Sequence, residues 1–219
     1  MLQIHYIWEW PVRITHWITV ACILMLSLTG LLIGAPVLDP AGIDPYTMGW
    51  IRALHFGFGY LFTLSVLSRL AWMLFGNRHA SWKTFVRLFS REGWRSAFRA
   101  FKYYAFLSRR TPYESGHNAL AATIYAGIFL LLLFEIASGL SLYGQYAPGG
   151  IWSRLSAPLI ALLGNQQLRL IHHGILWLLL SFTIIHVYLS WMLDRKMRNG
   201  LMSSIFSGYK FIETRRLPD

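Results

Sequence analysis

The feature that most constrains this chain is a recurring absence of charge. From Trp17 to Leu38 there is no Asp, Glu, Lys or Arg. A helix needs about 20 mainly apolar residues to cross the ~30 Å hydrocarbon core of a bilayer. Four stretches meet that length, at roughly 16–34, 52–75, 119–143 and 168–193. The composition agrees: 55% of residues are hydrophobic and 13% charged, against about 25% charged in a soluble domain. The expected fold is an all-α integral membrane protein, a four-transmembrane-helix bundle forming one domain over residues 1–219.

The charges orient the spans. Nine Lys and Arg fall in 76–118 and six in the tail from 194, whereas the loops 35–50 and 144–166 carry only Arg154. Basic loops stay cytoplasmic, so both termini and the 76–118 segment are expected on that side. Lys83, Arg87, Arg91, Arg95 and Arg99 recur every four residues, with Phe85, Leu88, Phe89, Trp94, Phe98 and Phe101 on the other side. This pattern predicts an amphipathic interfacial helix between spans 2 and 3, with its basic face toward anionic lipid. The net charge of +11 is thereby accounted for at the membrane surface, and no nucleic-acid-binding module supports a polynucleotide partner. A second short interfacial helix is expected within 151–164. No basic n-region precedes the first apolar run, which is long enough to span, so no cleavable signal peptide is expected. The single cysteine, Cys22, excludes an internal disulfide and a Cys-ligated iron–sulfur cluster.

Histidine is then the one abundant soft ligand, with eight at 5, 16, 55, 79, 117, 172, 173 and 186. His172 and His186 are 14 residues apart. They leave roughly one helix face about 21 Å apart along the axis, close to the depth of a bilayer core. On the topology above, His16 and His186 share the cytoplasmic depth, and His55 and His172 share the outer depth. Taken singly, a histidine in an apolar span is as readily a hydrogen-bonded core residue as a ligand. Two pairs at two depths read instead as two bis-histidine haem b sites, since haem iron takes axial imidazoles and a six-coordinate site favours electron transfer. Zinc or copper would call for three or four ligands converging at one depth. His173 projects roughly 140° from His186, so the helical arithmetic prefers His172. His5 and His79 read as surface residues.

Arginines form a second line. Arg13, Arg52 and Arg169 each precede a histidine (His16, His55, His172) by three residues, which places each pair on one helix face. Arg69 lies inside span 2 at the depth of His16 and His186. Haem propionates are natural partners for these four guanidinium groups; for Arg13, Arg52 and Arg169, snorkelling at a span end is nearly as good an explanation. Gly30, Gly57 and Gly59 would allow close approach of a macrocycle or of a neighbouring helix. Glu135 lies in the outer half of span 3 and must be neutral or paired there.

Several stretches resemble a known family. They are Arg13-Ile14-Thr15-His16-Trp17 leading to Leu28-Thr29-Gly30, Gly49-Trp50-Ile51-Arg52-Ala53-Leu54-His55-Phe56, Gly116-His117-Asn118, and His172-His173-Gly174-Ile175-Leu176-Trp177 followed by Phe182 and His186-Val187-Tyr188. Together they resemble the b-type cytochrome subunit of membrane-bound nickel–iron hydrogenases, a di-haem cytochrome b related to the gamma subunit of formate dehydrogenases. The resemblance implies a multi-pass protein of the bacterial cytoplasmic membrane. It implies partners in the small and large hydrogenase subunits on the extracytoplasmic side, and two haems b carrying electrons to a membrane quinone as substrate. His55 and His172 would ligate the proximal, outer haem, and His16 and His186 the distal, inner one. His117 and Asn118, where the cytoplasmic loop enters span 3, are the candidates for quinone binding; helix capping by Asn118 is an equally simple role. The hydrogen chemistry would lie in other subunits. Two rivals remain: the equivalent cytochrome of a formate dehydrogenase or other periplasmic oxidoreductase, and a haem-free membrane anchor or transporter.

Overall fold

The computed structural model describes residues 2–34, 46–83, 90–105, 107–108, 119–146 and 148–213. In chain order the elements are β1 (Leu2–Tyr6), α1 (Trp10–Gly34), α2 (Thr47–Phe75), α3 (Arg91–Tyr104), α4 (Ala119–Tyr146), α5 (Ile151–Leu163), α6 (Asn165–Met197), α7 (Leu201–Ser207) and β2 (Tyr209–Glu213). The helices α1, α2, α4 and α6 are long and apolar enough to cross a membrane. They overrun the apolar stretches by up to six residues because the helix does not stop where the charge begins. Pro11 sits in the first turn of α1, where its missing N–H costs no helical bond, so α1 starts at Trp10 rather than near residue 16.

The exterior of these helices is apolar and the interior holds small polar groups. Leu170, Ile184 and Leu130 are 73%, 72% and 69% exposed, whereas Ser138 is 0% and Ser65 4%. That inversion suits a lipid solvent, in which small hydroxyl residues are kept for helix–helix contact. The chain is a membrane protein.

The chain divides into two compact units. One comprises residues 15–68 and 131–182. Within it Ser65 ties α2 to α1, with its hydroxyl 2.9 Å from the Thr19 hydroxyl and donating to the Thr15 carbonyl at 3.0 Å.

The other unit comprises residues 1–14, 69–130 and 183–219. Its β1 and β2 pair antiparallel, with Leu2 opposite Glu213, His5 opposite Lys210 and Tyr6 opposite Tyr209. The two tyrosine rings pack 5.1 Å apart. No pattern in the sequence predicts this ribbon, and the C-terminal stretch reads there only as a basic tail. Gly208 makes the ribbon feasible. It adopts φ +91°, and a Cβ there would fall 2.6 Å from the Tyr6 ring and 2.9 Å from the Trp8 carbonyl, a conformation and a space that only glycine accepts readily. The turn after α2 is fastened to the same region. Glu9 accepts from Trp72 Nε1 at 3.0 Å and from the Asn77 amide at 2.9 Å, and Asn77 Nδ2 donates to the Ile7 carbonyl.

The amphipathic segment forms α3, with Ser90 as N-cap accepting from the Gly93 amide at 3.0 Å. Gly93, Ala100 and Tyr103 are buried, and Trp94, Phe98 and Phe101 form an exposed aromatic stripe. The basic repeat at Arg87, and Phe85, Leu88 and Phe89, lie outside the described residues. The short helix expected within 151–164 is α5.

Candidate cofactor cavity

In the unit of residues 15–68 and 131–182, helices α1, α2, α4 and α6 line a cavity of about 310 Å³. Its wall is mostly apolar, with Ile23, Leu26, Ile33, Leu140 and Leu176 among the lining side chains. Into this wall the chain sets His55, His172 and His173, the guanidinium-bearing Arg52 and Arg169, and Glu135. Two histidines assigned to the outer depth by their spacing thus face one space, each with the arginine three residues before it.

The hydrogen bonds of the two imidazoles bear on which nitrogen is free. Thr29 Oγ1 donates to the Met25 carbonyl at 2.7 Å and lies 2.8 Å from His55 Nδ1. A hydroxyl has one proton. When that proton goes to the backbone, the Thr29 oxygen is left to accept from Nδ1, the pairing of the His55 tautomer that keeps a lone pair on Nε2. His172 repeats the pattern. Ser138 Oγ donates to the Glu135 carbonyl at 3.1 Å and lies 2.9 Å from His172 Nδ1. Glu135 Oε1 is a second acceptor for Nδ1 at 3.3 Å. Each ring thus has a side-chain partner at Nδ1, an arrangement that leaves Nε2 available to a metal.

The residue after each hydroxyl is glycine. A Cβ at Gly30 would sit 3.3 Å from His55 Cε1, and a Cβ at Gly139 would sit 3.3 Å from His172 Cε1. Each ring rests on the bare backbone beside its own hydrogen-bond partner, Thr29-Gly30 on α1 for His55 and Ser138-Gly139 on α4 for His172. Helical geometry places adjacent residues 100° apart, so one residue meets Nδ1 while the next leaves room for the ring edge.

His173 also borders the cavity but is held differently. Its Nδ1 is 2.8 Å from the Arg169 carbonyl of its own helix, and its Nε2 lies 2.6 Å from where a Gly34 Cβ would be. That nitrogen abuts the end of α1. Arg169 Nε donates to Asn165 Oδ1 at 2.9 Å. The second carboxylate oxygen of Glu135 is buried without a partner among the described residues. Two Nε2 donors, an apolar wall and two arginines fit a metal-centred group with an apolar body and an acidic rim.

The remaining described sequence candidates are not among the residues that line this cavity. His186 Nδ1 is 3.3 Å from the Tyr125 hydroxyl, with the rings edge-on at 5.9 Å. The ring of His16 stands edge-on to Trp17 at 5.2 Å. Arg13 stacks over the Trp10 ring at 4.3 Å. Arg69 donates two N–H groups to the Ala80 carbonyl, each at 3.3 Å, which gives this intramembrane arginine a backbone partner. His117 and Asn118 lie outside the described residues. Three functional groups escaped sequence reasoning: Thr29, Ser138 and the Glu135 carboxylate as partners of Nδ1. The one signal available was a hydroxyl-glycine dipeptide inside two of the spans, at 29–30 and 138–139.

Proteins similar to this chain are named as B-type cytochrome subunits. Residues 7–208 match the family model described as prokaryotic cytochrome b561. The chain is 35% identical over 210 residues to a protein of Cupriavidus necator named probable Ni/Fe-hydrogenase B-type cytochrome subunit, covering 94% of this chain and 86% of the relative. A probable Ni/Fe-hydrogenase 1 B-type cytochrome subunit of Escherichia coli K12 is 32% identical over 212 residues, 94% of this chain and 90% of the relative. A protein of Azotobacter chroococcum with the same name as the first is 33% identical over 219 residues, 98% and 91% of the two chains. A family match across nearly the whole chain and relatives of this identity lead to one conclusion: the chain belongs to the prokaryotic cytochrome b561 family.

Proposed function

We propose that this chain is the membrane electron-transfer subunit of a nickel–iron hydrogenase. It accepts electrons from hydrogenase subunits on the extracytoplasmic side and passes them through two haems b to a membrane quinone. The observation that carries the reading is the matched treatment of His55 and His172. Each Nδ1 lies within hydrogen-bond distance of a hydroxyl and each ring lies against a glycine, beside one apolar cavity. Haem b, when bound, supplies a one-electron couple. His55 and His172 hold its iron through Nε2, and Arg52 and Arg169 meet its propionates. The apolar wall excludes water and leaves the carboxylates to the arginines.

From the spacing of the sequence, His16 and His186 are the ligands of the inner haem, with Arg13 and Arg69 as propionate partners and His117 and Asn118 at the quinone. Residues 1–219 serve as a single di-haem domain of the bacterial cytoplasmic membrane, with both termini cytoplasmic. The exposed Trp94, Phe98 and Phe101 of α3 lie in the membrane interface, and the basic residues of 76–118 face anionic headgroups. The names of the relatives favour hydrogenase as the partner.

A redox difference spectrum of the purified chain, combined with haem quantification, tests the reading. Two haems b per chain are expected. Absence of a b-type band overturns the proposal, and a count of one removes the His16–His186 site.

A further inference from the structure

Where α4 ends and α6 begins, three side chains form a hydrogen-bonded chain that leads to the cofactor cavity. Arg169 borders the cavity, and its Nε donates to Asn165 Oδ1 at 2.9 Å. Asn165 Nδ2 in turn donates to Gln145 Oε1. All three residues belong to the unit of residues 15–68 and 131–182. Gln145 lies in the last turn of α4 and Asn165 opens α6, one on each side of α5 in the sequence. Asn165 and Arg169 are four residues apart on α6, so their side chains share one helix face.

The chemistry fixes the direction of this chain. Arginine carries N–H donors and no acceptor, so the atom of Asn165 that faces Nε is its oxygen. The amide nitrogen of Asn165 is then turned to Gln145, whose oxygen accepts. A long arginine side chain loses rotamer freedom when it engages an anion. A partner that already holds Nε reduces that loss, because the guanidinium is ordered before the anion arrives. Holding Nε also selects the edge on offer. A side-on contact would need Nε, so a carboxylate is met end-on by Nη1 and Nη2. Arg169 precedes His172 by three residues on the same helix, so fixing the guanidinium fixes it relative to the imidazole as well.

We propose that Asn165 is the positioning residue for Arg169. Backed by Gln145, it holds the guanidinium so that Nη1 and Nη2 meet a haem propionate at the outer cavity. The inference rests on the reading of Arg169 as a propionate partner, and Asn165 acts through Arg169 alone. As a simple helix-surface contact the same pair would support the first turns of α6 and leave haem retention untouched.

The test uses the full chain, purified in detergent with its haem. Haem transfer to excess apomyoglobin is followed for the wild type, Asn165→Ala, Arg169→Ala and the double variant. Loss of one hydrogen bond corresponds to about 2- to 10-fold in affinity. The contact is exposed, so water competes for it and the effect of Asn165→Ala should stay within that range. Arg169→Ala should release haem faster still. In the Arg169→Ala background, Asn165→Ala should add nothing, because residues that act as one unit are not additive. The propionate bending band of the resonance Raman spectrum should move in the same direction in both single variants, which a purely structural role would not produce. If Arg169→Ala speeds haem loss and Asn165→Ala does not, or if the two effects simply add, the inference is overturned while the propionate reading stands. If Arg169→Ala keeps haem as the wild type does, the propionate reading of Arg169 fails and the inference with it. Should Asn165→Ala fail to fold, Asn165→Ser, whose short hydroxyl still suits a helix start, is read by the same criteria.

Discussion

The Ser138 hydroxyl lies 2.9 Å from His172 Nδ1 while giving its own proton to the Glu135 carbonyl. A serine in an apolar helix commonly returns its proton to a carbonyl one turn back, and its oxygen is then free to accept from the N–H of a ring. Thr29 stands in the same relation to His55 on another helix. The two imidazoles of the cavity thus each have a hydroxyl at Nδ1, the arrangement that suits Nε2 to a metal.

Replacing Ser138 by alanine removes the nearer of two acceptors for His172 Nδ1 and leaves Glu135 Oε1 at 3.3 Å. Loss of such an orienting partner typically weakens metal binding about 10- to 100-fold. Ser138→Ala should therefore release haem more readily during purification while retaining the fold. Titration of the apo-protein with haem measures the change; an affinity equal to wild type would mean that Ser138 does not orient the ligand.

His172 and His173 make a sharp comparison because they are neighbours on one helix and both border the cavity. His172→Ala should lower the haem count by one. His173→Ala should leave the count unchanged, since its Nε2 abuts Gly34 and its Nδ1 faces its own backbone. Haem quantification of both variants decides. Loss of haem in His173→Ala alone would exchange the roles of the two residues.

Much of this arrangement could be read from the chain before its fold was known. Long apolar runs with few charges located α1, α2, α4 and α6, because hydrocarbon imposes a length that side-chain chemistry must obey. Spacing brought His55, His172, Arg52 and Arg169 toward one place. The partners of the histidines were harder to see. Thr29 is 26 residues from His55, and Ser138 is 34 from His172. A hydroxyl in an apolar helix looks the same in sequence whether or not a ring reaches it. The pairing of β1 with β2 joins residues more than two hundred apart, as Leu2 with Glu213, and five-residue strands leave almost no periodic trace. Arg69 also meets the Ala80 carbonyl of the following turn, a backbone contact that no spacing in the sequence reveals.

Glu135 distinguishes the two ligands. His172 has a carboxylate within reach of Nδ1, whereas His55 has only a hydroxyl. A carboxylate draws the Nδ1 proton toward itself and makes Nε2 a stronger donor, which stabilises the oxidised metal. Glu135→Gln keeps the shape and an acceptor but removes the charge. The outer haem should then be reduced at a more positive potential, with haem content near wild type. A spectroelectrochemical titration reads the shift; an unchanged or more negative potential would show that the carboxylate does not act through His172.

The basic side chains of the ribbon and of the turn after α2 give the chain a pH dependence of defined sign. His79 lies outside the spans, and its protonation is disfavoured by burial first, then by Arg78, Lys210 and His5. An unfolded chain would protonate this histidine near pH 6.5. The folded chain does so only at lower pH, so the unfolded state binds more protons between the two values. Stability therefore holds above about pH 6.5 and declines as the pH falls through that window. His79→Gln removes the titrating group and should flatten the decline. Apparent melting temperatures, followed from about pH 7.5 down to 5.5 around the ordinary histidine value, provide the measurement. A wild-type curve that does not fall toward acid, or a His79→Gln curve with the same slope, would remove His79 as its source.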